Sequence, residues 1–174
     1  VSTYEDTLNI ESKNKTVLIL FEFLLDKSRV EQNLTFKDAL IRSLDDFIDE
    51  GDKIKIVAFT LKDAENKILK DISEKFTDNV EYLKSSIENF YIEDNDYTNK
   101  PVSDIFGAVI EGIELLEDIK EDYPKSILLL SDERNNREIL NVEKNAIDAA
   151  IDKNVTVYTL KYNRLGYQQY TDAR

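Results

Sequence analysis

KTVLILFEFLLD, residues 15–26, is an apolar run too continuous for a strand with one wet face. It predicts a β-strand covered on both sides. After a polar loop, LTFKDALIRSLDDFIDEG places Phe36, Leu40, Leu44, Phe47 and Ile48 at helical spacing. Thr35, with Asp38 three residues on, reads as the N-terminal cap of that helix, and Gly51 stands just past its end. DKIKIVAFT (52–60) alternates, with Ile54, Ile56 and Ala58 on one side and Val57 and Phe59 on the other, as a strand does. LKDAENKILKDISEKF fits either a short edge strand near residues 68–72 or a helix. DNVEYLKSSIENFY predicts a helix that turns Val80, Leu83, Ile87 and Phe90 inward.

The second half repeats the alternation. An acidic, turn-rich loop, IEDNDYTNKPV, leads into SDIFGAVIEGIELLEDI, a helix starting at Ser103 or Asp104. Its Gly107 and Gly112 lower helix propensity, which points to close packing against a strand. KSILLLSD is a buried strand, NVEKNAIDAAIDKN a helix and VTVYTLKYN a final strand. Alternating strands and helices predict an α/β fold: a doubly wound, mainly parallel sheet with helices on both faces. The expected organisation is a polar N-terminal extension over residues 1–14, one domain over 15–162 and a C-terminal tail over 163–174.

Composition narrows the chemistry. The chain has 174 residues, 41% hydrophobic and 34% charged, which suits one domain with a full core and excludes whole-chain disorder. A net charge of −13 argues against nucleic acid, which needs clustered Lys and Arg. Cysteine and histidine are both absent, removing disulfides, thiolate chemistry, the usual neutral-pH base and nitrogen ligands for zinc, so any metal must be a hard cation held by oxygen. No stretch approaches the roughly 20 apolar residues of a bilayer span, so no membrane insertion is expected of this fragment. Starting with Val and lacking Met, the chain reads as a mature or excised piece of a longer one. Asn14, Asn33 and Asn154 each open an Asn-x-Thr sequence that would accept a glycan in a secretory setting.

In an open parallel sheet, ligands bind beyond the carboxyl ends of the strands. FLLDKS and LLLSDER each end an apolar strand with an acid there, and Ser103 opens a helix near the same edge. Asp26, Ser28, Ser103 and Asp132 would then share one pocket, with oxygens suited to Mg²⁺. The plainer alternative makes Ser103 a helix cap and both aspartates solvated strand-end residues.

With those residues in view, the chain resembles a von Willebrand factor A-type domain over about residues 15–162. That family has a doubly wound parallel sheet with one edge hairpin strand, which the resemblance assigns to NKILKDI. Its metal-ion-dependent adhesion site combines Asp-x-Ser-x-Ser after the first strand, a Thr before a middle helix and an Asp, usually followed by Gly, after the next core strand. Asp26 and Ser28 match the first motif, Ser103 takes the Thr position and Asp132 the final Asp. Val30 replaces the second serine and Glu133 the glycine, so the resemblance implies a degenerate site that holds Mg²⁺ weakly or not at all. It also implies a non-enzymatic, adhesion-type module that binds a protein partner at this edge, in an extracytoplasmic or cell-surface setting. The alternative on such a sheet is a Mg²⁺-dependent enzyme or receiver-like domain using Asp26, Asp132 and Lys161. No Gly-rich phosphate loop or G-x-S-x-G elbow supports it.

One ambiguity bears on the site. If Glu22 ends the first strand, three large apolar residues must find cover beyond it; if Asp26 does, Glu22 lies inside a buried strand and needs a partner. The match to Asp-x-Ser favours Asp26. In either case Glu22 is expected to be paired or displaced toward solvent.

Overall fold

The computed structural model describes residues 14–23, 30–59, 69–91, 104–120, 122–131 and 140–161. The expected extension, but for Asn14, and the expected tail lie outside them. The elements follow as β1 (Thr16–Glu22), α1 (Val30–Phe47), β2 (Lys53–Phe59), β3 (Leu69–Asp71), α2 (Val80–Asn89), α3 (Ile105–Glu117), β4 (Lys125–Ser131), α4 (Leu140–Asp152) and β5 (Val155–Lys161). The sheet order is β3-β2-β1-β4-β5, parallel throughout except for the antiparallel β2–β3 pair. This is the three-layer α/β architecture that the alternation predicts. The edge strand read from NKILKDI is β3.

β1 occupies the centre and all seven of its residues are buried, which its unbroken apolar run requires. Its alternate side chains serve two cores. Val17, Ile19 and Phe21 join Ile54, Ile56 and Ala58 under Leu40 and Leu44 of α1 and Leu83 and Ile87 of α2. Leu18 and Leu20 join Val57 and Phe59 under α3 and α4. Full burial of each such side chain contributes about 1.5–3 kcal/mol. Gly112 permits the close approach of α3: a Cβ there would stand 3.0 Å from Leu18 Cδ2, 3.2 Å from Leu20 Cδ1 and 3.3 Å from Ile127 Cδ1.

Two expectations are corrected. The first strand ends at Glu22, where the match to Asp-x-Ser had favoured Asp26, which itself lies outside the described residues. Its ladder with β2 ends at Glu22↔Phe59, and only the Phe23 N–H continues, donating to the Phe59 carbonyl at 3.0 Å. Phe23 leaves the ladder without losing cover, because its ring packs edge-on against Phe21 and Phe90, and Phe36 stacks on Phe21 at 4.5 Å. Secondly, α1 starts at Val30, not at a Thr35 cap. Residues 30–34 contain neither Gly nor Pro, so the helix extends through Thr35. Among the described residues β5 ends the sheet order on this side. Val155 and Val157 pack toward α3 and α4, but Tyr158 and Leu160 on the other face are 59% and 58% exposed. There they border a groove of about 650 Å³ floored by Val17, Ile19 and Leu128. Among the described residues, no helix is long and apolar enough to cross a membrane.

Candidate functional site at the carboxyl edge of the sheet

The chain leaves β1 toward β2 and β3 on one side and later fills β4 and β5 on the other. The crevice between the carboxyl ends of β1 and β4 is therefore the switch point of the sheet, where doubly wound folds place ligands. Phe21 pairs with Leu130, so the next residues, Glu22 and Ser131, end neighbouring strands side by side. Both are buried, at 2% and 0% exposure. The Ser131 hydroxyl donates to Glu22 Oε2 at 2.6 Å, a short bond of the kind a hydroxyl makes to a carboxylate. The acid interrupting the first apolar run is thus held at the crevice by a partner 109 residues later. Glu22 is paired, as expected; Ser131 was not singled out in the sequence. The only signal for it was a hydroxyl closing the buried run SILLLS.

The third anchor is the start of α3. Asp104, not Ser103, is the N-cap: its Oδ1 accepts from the Gly107 N–H at 2.8 Å, satisfying a free donor of the first turn. The register also brings Lys161 beside Ser131 at the same edge.

Asp26, Ser28, Ser103 and Asp132, the expected cation ligands, all lie outside the described residues, as does Glu133. What the structure fixes is their attachment. Asp132 follows Ser131 directly, Ser103 precedes the Asp104 cap, and Asp26 and Ser28 lie between Phe23 and the start of α1. Val30, in the position of the family's second serine, is the first residue of α1. Among the described residues, no group of three or more acids, histidines or cysteines could hold a metal.

Away from the edge, a second buried acid among the described residues is Asp52. Its carboxylate accepts from Lys15 Nζ at 2.7 Å, from the Lys15 N–H at 3.0 Å and from the Asp49 N–H at 2.9 Å. Burial pushes this carboxyl up, but those hydrogen bonds and the Lys15 charge outweigh it and leave the pKa below the ordinary carboxylate value. This cluster ties the loop before β2 to the entry of β1, at the opposite end of the strands from Glu22, and is structural.

No family model and no curated protein matches the sequence. Solved structures do match. Two structures of proximal thread matrix protein 1 from the mussel byssus superpose with TM-scores of 0.63 and 0.64 at 16% and 15% identity. The match covers 84% and 87% of this chain but only 37% and 39% of theirs, so the chain spans under two fifths of their length. The second of those structures is described as having a zinc-occupied metal-ion-dependent adhesion site. At such identity the likeness establishes fold alone, and it agrees with the sheet order and the two-faced helix packing found here. The chain has the fold of the von Willebrand factor A-type domains, the family its sequence resembles.

Proposed function

We propose that this chain is a protein-binding, adhesion-type module of the von Willebrand A kind, whose binding surface is the carboxyl edge of the sheet at the β1–β4 crevice. The observation that carries the reading is the buried Glu22–Ser131 pair at the switch point. It fixes the two strand ends from which Asp26, Ser28 and Asp132 continue. A divalent cation fits the donors the sequence offers there, all of them carboxylate or hydroxyl oxygens, and the absence of His and Cys favours Mg²⁺ over zinc. Asp26, Ser28, Ser103 and Asp132 would hold the ion, and the ion would supply a positive point for an acidic side chain of the partner in an otherwise acidic protein. The loss of a hydroxyl at Val30 and the added charge of Glu133 make that hold weak. The byssal thread relative, a matrix protein with a metal at the corresponding motif, supports an extracellular adhesive role of this class.

Calorimetric titration with Mg²⁺ and Mn²⁺ tests the reading. The expected result is a dissociation constant on the order of 0.1–1 mM, as in weak oxygen-ligand sites, raised further by Asp26→Ala and by Asp132→Ala. An immobilised Asp-containing peptide should be retained in Mg²⁺ and released by chelator. Ion binding that neither substitution changes removes the site from this edge. Peptide retention that ignores chelator removes the cation from the mechanism.

A further inference from the structure

The fold treats the Asn-x-Thr sequences at Asn14, Asn33 and Asn154 differently. Glycan transfer requires the asparagine amide and the hydroxyl two residues on to reach one transferase site, on a segment that stays at the surface once the sugar is attached. At Asn14 the amide packs against Gly51 so closely that no Cβ could be placed there, and Thr16, in the central strand, is fully buried. A sugar on Asn14 and a folded entry to β1 therefore exclude each other. Asn33 belongs to α1, whose helical backbone sets positions two residues apart roughly 200° around the axis, so positions 33 and 35 fall on different sides.

Asn154 is placed otherwise. It is the turn residue between α4 and β5, with φ at 52°, in the left-handed region that asparagine tolerates better than most residues. Its N–H donates to the Ile151 carbonyl at 3.2 Å, and the Lys153 N–H donates to that of Ala149 at 3.0 Å. The turn is thus closed by backbone groups and asks nothing of the Asn154 amide, which has no hydrogen-bond partner among the described residues. Asn154 is exposed, and so is Thr156, where the chain has passed into extended backbone. Ile151, Asp152 and Lys153 are exposed as well, so a bulky substituent can leave this turn without displacing a packed side chain.

We propose that Asn154 is an N-glycosylation site, an assignment that rests on the extracellular reading given above. The step joins Asn154 Nδ2 to the anomeric carbon of an oligosaccharide carried on a polyprenyl diphosphate. The bond from that carbon to the diphosphate oxygen breaks, the diphosphate leaves with the electron pair, and the amide nitrogen gives up one proton to a base of the transferase. Nothing is oxidised or reduced. The position suits the proposed binding edge. β5 runs parallel to β4 and β1, so Asn154 stands at the amino ends of the strands, roughly 20 Å from the carboxyl-edge crevice. A glycan there covers Ile151, which is 71% exposed, and leaves the crevice open.

Secretion of the chain behind a cleavable signal from a eukaryotic host tests the assignment. The product should carry one glycan, and peptide-N-glycosidase should return its mass to that of the bare chain apart from the conversion of the modified asparagine to aspartate. Peptide mapping should place the sugar within residues 154–161. Asn154→Gln and Thr156→Ala should each abolish the shift, Thr156→Ser should keep it, and Asn14→Gln and Asn33→Gln should leave it unchanged. A folded, secreted chain without sugar at Asn154 overturns the proposal, as does sugar at Asn14 in folded material. Circular dichroism should be the same before and after sugar removal, and a fold that changes overturns the placement in an open turn. Retention on the Asp-containing peptide in Mg²⁺ separates this proposal from the binding reading. A chain glycosylated at Asn154 that is not retained with or without its sugar counts against the cation mechanism and leaves the glycan site standing. Retention gained only on removing the sugar overturns the placement of the glycan clear of the crevice.

Discussion

A carboxylate deep in a sheet persists only where something replaces the water it loses. Glu22 could be recognised from sequence as needing such a partner, because it breaks an otherwise apolar run. Ser131 could not be named, since the pairing depends on the β1–β4 register and spans 109 residues. Ser131→Ala should lower unfolding free energy by about 1–3 kcal/mol in urea, the cost of leaving a buried acceptor short of a donor. Glu22→Gln retains a side-chain oxygen and should cost less. A double-mutant cycle showing no coupling between the two positions would deny that the bond matters. Asp52 gives a pH effect of known sign. Its folded pKa lies below the unfolded value, so its stabilisation is complete above the ordinary carboxylate pKa of about 3.9 and is lost as pH falls through the folded value. Unfolding midpoints should therefore fall more steeply below pH ~4 in the wild type than in Asp52→Asn, and parallel profiles would contradict the assignment.

Elements were readable where periodicity was strong and local. β2 alternates Ile54, Ile56 and Ala58 against Val57 and Phe59, and the structure sends those sets into separate cores. α2 buries Leu83 and Ile87 as its spacing predicts. Boundaries failed where two local signals competed: Thr35 looked like a cap, yet the preceding residues continue the helix. The three-residue β3 needed the resemblance, because its pairing with β2 is not written in its own sequence. Helix ends show how remote residues finish what local sequence leaves open. Lys125 Nζ donates to the carbonyls of Leu116 and Ile119 at 2.7 and 2.8 Å, closing the end of α3, which has no basic residue in its last turn. Lys125→Met should destabilise by about 1–2 kcal/mol through those bonds, measured by urea unfolding. The exposed Lys144, paired across one turn with Asp148, should be replaceable without measurable loss. Gly112→Leu should cost on the order of 1–3 kcal/mol or more, because its side chain would enter the space held by Leu18, Leu20 and Ile127. A neutral result would mean that α3 can lift from the sheet.

At the scale of the whole molecule, the order of elements specified the sheet, whereas residues 26, 28, 103 and 132 follow no hydrophobic period and lie outside the described residues, so the sequence could nominate them only through chemistry and resemblance. Net charge acts on the folded state independently of those details. With 36 acids against 23 bases, compaction brings like charges together, and screening relieves this more in the folded chain than in the expanded one. Salt also weakens exposed pairs such as Lys84–Asp45, but isolated surface pairs contribute little, so repulsion should dominate. Raising NaCl from about 0.01 M to 0.15 M shortens the Debye length from ~30 Å to ~8 Å and should raise the thermal midpoint by a few degrees. A fall would mean that the ion pairs outweigh the repulsion. The same experiment separates screening from binding when MgCl₂ is compared with NaCl at matched ionic strength. Screening by the two salts is then similar, and a bound ion adds RT ln(1 + [L]/Kd), only ~0.4 kcal/mol at a concentration equal to Kd. Millimolar Mg²⁺ should accordingly give a small surplus in the wild type that vanishes in Asp26→Ala, while the NaCl response stays the same in both. A surplus that survives in Asp26→Ala would place the ion elsewhere on this acidic surface and detach cation binding from the β1–β4 crevice.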